Sequence, residues 1–128
     1  MAEMRQFETG ATRNIDVNKF DYEGFLSPLV IEEYGRFMHQ HRLQADGKLR
    51  DSDNWQKGIP LAAYMKSMWR HFMNVWKYHR GYPIYNENGD PVTFYEEIMA
   101  LLFNVQGYAH EVLKRRECQV PLCVQEKK

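Results

Sequence analysis

Between Asp51 and Arg80 the chain reads DSDNWQKGIPLAAYMKSMWRHFMNVWKYHR. In its second half Leu61, Met65, Met68, Phe72, Val75 and Trp76 recur every three or four residues, the period of one helix face. Pro60 suits a first helical position, where its missing N–H costs nothing. Gly81 closes the pattern, so a long helix is predicted from Pro60 to about Arg80. The first half is polar and carries Asp53, Asn54, Trp55 and Lys57 ahead of a Gly-Ile-Pro exit. It belongs to a loop over 43–59, and loops of that length in small domains are commonly functional.

Upstream, Ser27-Pro28 is a helix start, with Ser as N-cap and Pro at the first helical position. The helix it opens is predicted to reach about Arg42, with Val30, Tyr34, Phe37, Met38 and His41 on its apolar side. Downstream, Asn86 to Pro91 reads as a turn. Thr93-Phe94-Tyr95-Glu96 is a capping box, and the helix behind it runs to about Arg116. Its apolar stripe is Ile98, Leu101, Leu102, Val105, Tyr108, Ala109, Val112 and Leu113. Residues 1–26 have no sustained period and read as an irregular arm, and 117–128 read as a tail expected to fray. Three long helices and no convincing strand predict a single all-α domain over 1–128. The expected architecture is a helical bundle completed by oligomerisation.

The length of 128 residues suits one domain with a modest core. The 17 basic residues balance the 17 acidic ones, which argues against a non-specific nucleic-acid binder and leaves any phosphate site to local charge. No apolar run approaches the ~18 residues of a membrane span, and the N-terminus lacks the apolar core of a secretory signal. Cys118 and Cys123 match no metal spacing and are expected to be free thiols in a reducing cytoplasm, a host cytoplasm if the chain is of phage origin. Aromatic residues reach 14%, a surplus that suits a ligand or another subunit.

Successive helical residues turn by about 100°, which phases the polar side chains. Glu33 falls at the edge of the first stripe and His71 at the edge of the second, in line with Ser67 and Tyr78. Glu97 and Asn104 share one edge of the third helix, and Glu111 continues that line. Glu33, His71, Glu97 and Asn104 can therefore converge on one polar pocket. Carboxylates drawn together in a bundle are relieved by a divalent cation, and oxygen ligands suit Mg²⁺ or Mn²⁺. The plainer reading is that these are solvated edge residues and that His71 is a hydrogen-bonded boundary histidine. Asn104, an amide inside an apolar helix, either ties helices together or touches a ligand. Arg70 falls nearly opposite the stripe and suits a subunit interface. Trp55 either plugs a gap between helices or, with Asp53, Asn54 and Lys57, offers a ring, amides and a cation to a nucleotide.

The run Gly10-Ala11-Thr12-Arg13 with Lys19 and Tyr22, then Asp53 to Gly58, Arg70-His71 and Asn104, resembles the phage-type dATP/dGTP diphosphohydrolases. These are small α-helical proteins related to the MazG-like nucleotide pyrophosphohydrolases, and the resemblance extends over residues 7–114. It implies a Mg²⁺- or Mn²⁺-dependent enzyme that cuts a purine (deoxy)nucleoside triphosphate into the monophosphate and pyrophosphate. It also implies a dimer or tetramer. On this reading Glu33, His71 and Glu97 hold metal and activate water. Arg13, Lys19, Lys57 and Arg70 neutralise the phosphates, and Asn54 and Trp55 hold the base. The MazG-like Glu-x-x-Glu and Glu-x-x-Asp pairs are absent, since Glu33 is followed three residues on by Arg36 and Glu97 by Ala100. The alternative is a non-catalytic helical module that binds a nucleotide or a protein through the same loop.

Overall fold

The computed structural model describes residues 3–117, so the expected thiols Cys118 and Cys123 and the expected tail beyond Glu117 lie outside the described residues. The chain divides into two compact units, one ending at Glu32 and one beginning at Glu33.

The N-terminal unit corrects the expectation of an irregular arm without strands. Strands β1 (Met4–Gln6) and β2 (Thr12–Asn14) pair antiparallel, with Arg5 opposite Arg13. Phe7 N donates to Ala11 O at 2.8 Å and closes the hairpin. Every residue of both strands is exposed. The hairpin is defined by backbone hydrogen bonds with no buried face, so it leaves no alternation to read in sequence. Arg5 also pairs with Asp16 at 2.9 Å. Helix α1 (Tyr22–Phe25) follows, its N-terminus capped by Asp21, which accepts from Gly24 N at 3.0 Å. Helix α2 (Pro28–Gln40) starts as predicted, with Ser27 Oγ accepting from Val30 N, and stops slightly short of Arg42.

The C-terminal unit is organised by helix α3 (Leu61–His79) and helix α4 (Phe94–Glu117). They run antiparallel: Tyr64 meets Gly107, His71 meets Glu97, and Tyr78 stacks on Phe94 at 4.6 Å. The capping box forms as expected, with Glu96 N donating to Thr93 Oγ1 at 3.1 Å and Thr93 N donating to Glu96 Oε1 at 2.9 Å. Thr93→Ala is expected to cost about 1 kcal/mol, read as a lower urea midpoint with an unchanged slope. The predicted loop over 43–59 is more ordered than its composition suggests. It holds a tight turn bridged by Leu43 and Leu49 and a 3₁₀ helix over Asn54–Lys57.

The predicted apolar stripes are buried only in part, with Leu61, Met68 and Val75 on α3 and Ile98, Leu101, Leu102 and Tyr108 on α4 half-buried. Met65, Phe72 and Trp76 on α3, and Val105, Val112 and Leu113 on α4, are all more than 40% exposed. The helices meet along the other line. From α3 it comprises Tyr64, His71 and Asn74, and from α4 Glu97, Ala100, Asn104, Gly107 and Glu111. Two causes favour this phasing. Gly107 carries no Cβ, which lets the Tyr64 ring lie directly on α4. His71 and Asn74 both donate to the Glu97 carboxylate, and such bonds form only if the polar lines face each other. The edge line Glu97–Asn104–Glu111 read from helical phasing is thus the seam itself.

Candidate active site

Three side chains form the polar centre of that seam. Glu97 is 5% exposed. His71 Nδ1 donates to its Oε1 at 2.9 Å, and Asn74 Nδ2 donates to the same oxygen at 3.0 Å. Asn74 also donates to Tyr85 O at 2.9 Å, tying the α3–α4 connection to the cluster. Burial alone would raise the Glu97 pKa. The hydrogen bonds from His71 and Asn74, with positive charge from His71 and Arg70, outweigh it and hold the carboxyl below its ordinary value. Arg70 NH2 approaches His71 Nε2 at 3.4 Å. A guanidinium can only donate, so in the neutral form of the ring this approach selects the tautomer with its proton on Nδ1, facing Glu97.

The cluster opens on a cavity of about 870 Å³. Besides Ser67, His71 and Glu97, its lining includes Asn54, Trp55, Phe103 and Asn104. Asn104 Nδ2 donates to Ala100 O at 2.8 Å, within its own helix. It therefore does not tie helices together through that group. Trp55 packs on α4. Its ring packs edge-on against Phe103 at 6.2 Å and His110 at 4.9 Å, and it also lines the cavity.

Other expected site residues are placed differently. Glu33 accepts from Arg36 Nε at 3.4 Å and is not part of the lining. The expected trio Glu33, His71 and Glu97 is accordingly not gathered. Among the described residues no group of three or more His, Cys, Asp or Glu side chains could hold a metal ion, so the side chains present do not fit a resident Mg²⁺ or Mn²⁺ held by protein alone. The reason is phasing: the α2 edge that carries Glu33 is occupied by its own i, i+3 ion pair. Arg70, expected to lie opposite the apolar stripe and to suit a subunit interface, is exposed. It bonds Ser67 Oγ at 3.2 Å and lies 3.9 Å from Glu87. Asp53 and Lys57 are exposed and absent from the lining. Arg13, on β2, and Lys19, whose N donates to Asp16 O, belong to the N-terminal unit.

Sequence reasoning passed over Asn74, Arg42 and Arg50. Asn74 stands three residues after His71 and shares its face, a signal that was legible. Arg42 and Arg50 flank the Asp46-Gly47 turn, and both line the cavity. Further along the seam, Tyr34 Oη, Tyr64 Oη and Glu111 Oε2 are buried without a hydrogen-bond partner among the described residues. Burial raises both phenols, and the neighbouring Glu111 charge adds to the rise at Tyr64. Among the described residues no helix is long and apolar enough to cross a membrane. In comparisons with known proteins, no family model, no curated protein and no solved structure matches this chain.

Proposed function

We propose that this chain hydrolyses a purine (deoxy)nucleoside triphosphate to the monophosphate and pyrophosphate, with the chemistry centred on His71 and Glu97. The observation that carries the reading is the buried Glu97–His71–Asn74 cluster opening on a cavity of about 870 Å³. That volume suits a ligand of nucleotide size. A carboxylate behind an imidazole orients the ring and stabilises the proton the ring acquires. The water oxygen forms a bond to the α-phosphorus, and the α–β bridging bond breaks. Pyrophosphate departs with the bridging oxygen, and the water proton passes to His71 Nε2. The long 3.4 Å approach of Arg70 to that nitrogen yields readily to an incoming water. Arg70 then adds positive charge to the phosphates. Trp55 supplies a ring, and Asn54 and Asn104 supply amides, for the base. Mg²⁺ or Mn²⁺ enters this scheme as part of the substrate, carried by the triphosphate.

The direct test incubates the protein with each dNTP and either metal and measures pyrophosphate. Release with a purine nucleotide is expected. No release from any nucleotide under either metal would sink the hydrolase reading. The ungathered carboxylates favour one second reading, a nucleotide-binding module without turnover. It predicts a nucleotide-induced rise in melting temperature that survives chelation.

Self-association is part of the same proposal. Met65, Trp69, Phe72, Met73 and Trp76 form one exposed apolar side of α3, more than a lone soluble helix pair ordinarily shows. A second copy of this chain is the expected cover, and light scattering should give the mass of a dimer or tetramer.

A further inference from the structure

We propose that Arg42 and Arg50 form the phosphate clamp of this cavity and take the polyphosphate tail of the nucleotide. The assignment rests on the nucleotide reading of the cavity and adds two phosphate contacts from outside the set Arg13, Lys19, Lys57 and Arg70.

The two arginines face each other across the turn over 43–49. Gln44 N donates to Lys48 O at 2.8 Å, and Gly47 takes a φ of +84°, a backbone state that glycine adopts without strain. Arg50 N donates to Arg42 O at 2.7 Å, Arg42 Nε donates to Arg50 O at 2.7 Å, and Arg50 NH1 donates to His41 O at 2.8 Å. Each guanidinium is thus fixed through one N–H to a main-chain carbonyl, and its other donors remain for a ligand. Both line the cavity, as does His41.

Among the described residues neither guanidinium is ion-paired. Asp51 lines the same cavity, but no ion pair joins it to either arginine. Two like charges on one turn, neither of them ion-paired, add positive charge to a lining that also carries Asp51, Glu96 and Glu97. The fork of N–H donors on a guanidinium matches phosphate oxygens. Elsewhere on the lining, Trp55, Phe103 and Asn104 offer rings and an amide, the partners of a base rather than of phosphate. Lys57 lies off the lining, and Arg70 is engaged with Ser67 and Glu87.

The test is calorimetric titration of inorganic tripolyphosphate, dATP and deoxyadenosine into wild type, Arg42→Gln and Arg50→Gln, with Lys48→Gln as a neighbouring control. Each arginine variant is expected to bind tripolyphosphate and dATP roughly ten-fold or more weakly, with deoxyadenosine unchanged and Lys48→Gln like wild type. Arg50→Lys keeps the charge without the fork and should fall between. Because the same arginines brace the turn, wild-type protein is also treated with phenylglyoxal. Tripolyphosphate should protect Arg42 and Arg50 from modification, as read by peptide mass spectrometry. Unchanged tripolyphosphate affinity in both variants, or modification of both arginines undiminished by tripolyphosphate, overturns the clamp. Clamp-dependent binding without pyrophosphate release overturns the hydrolase reading alone. Turnover with an unchanged KM in both variants overturns the clamp alone.

Discussion

Glu97→Gln is expected to lower the rate of pyrophosphate release by roughly 10²–10⁴-fold, the contribution of a positioned acid–base pair. The amide keeps the shape of the carboxylate and can still accept from Asn74, so the fold should survive. What is lost is the charge that orients His71 and stabilises its acquired proton. Stability at neutral pH should fall by about 1–3 kcal/mol, the cost of weakening a buried charge-assisted cluster. The pH dependence separates this from a general defect. Burial works to raise the Glu97 pKa, yet the bonds from His71 and Asn74 prevail and hold it below its ordinary 4.5. In that window the unfolded chain binds the proton more readily than the native protein. The Glu97 contribution is therefore complete above about pH 4.5 and is lost as pH falls through the lowered native value. Urea unfolding of wild type and variant across this range should show the two stabilities converging in acid. A gap between them that stays constant to the lowest pH, or unchanged turnover, would remove Glu97 from its assigned role.

Gly107→Ala is expected to lower stability by about 2 kcal/mol. A Cβ at this position would enter the Tyr64 ring, lying 2.6 Å from the phenol oxygen itself. Tyr64 is 1% exposed and has Phe103 at 5.9 Å, so the ring has little room to retreat. Two effects compete. Alanine favours a helix interior over glycine by about 1 kcal/mol, while forcing an extra methyl into a packed site costs about 3 kcal/mol at the upper end. The steric cost wins. The urea midpoint should fall accordingly, and Tyr64→Leu should recover part of the loss when combined with Gly107→Ala. A Gly107→Ala protein as stable as wild type would mean that α3 and α4 do not pack along this line.

Capping and periodicity carried the secondary structure. Ser27-Pro28 and the Thr93–Glu96 box are local devices whose hydrogen bonds lie within a few residues, and both helices begin where those signals stand. The N-terminal hairpin escaped notice because its strands bury nothing. The candidate site was legible in part. Helical phasing aligned His71 on one helix and Glu97, Asn104 and Glu111 on another, and those residues do line the seam. Arg42 and Arg50 were not legible as a pair, because seven intervening residues hide a contact that depends on the Gly47 turn.

From the amino-acid order alone follow the long helices, their caps, the zero net charge and the alignment of polar residues along each helix. Those properties depend on backbone geometry and near neighbours. The tertiary structure decided which faces meet. An apolar stripe and a polar line on one helix are both continuous, and periodicity cannot choose between them as the contact surface. The choice fell to the space left by Gly107 under Tyr64 and to the hydrogen bonds that converge on Glu97. Part of each apolar stripe was thereby left outward, and a buried acid–imidazole pair lines the cavity.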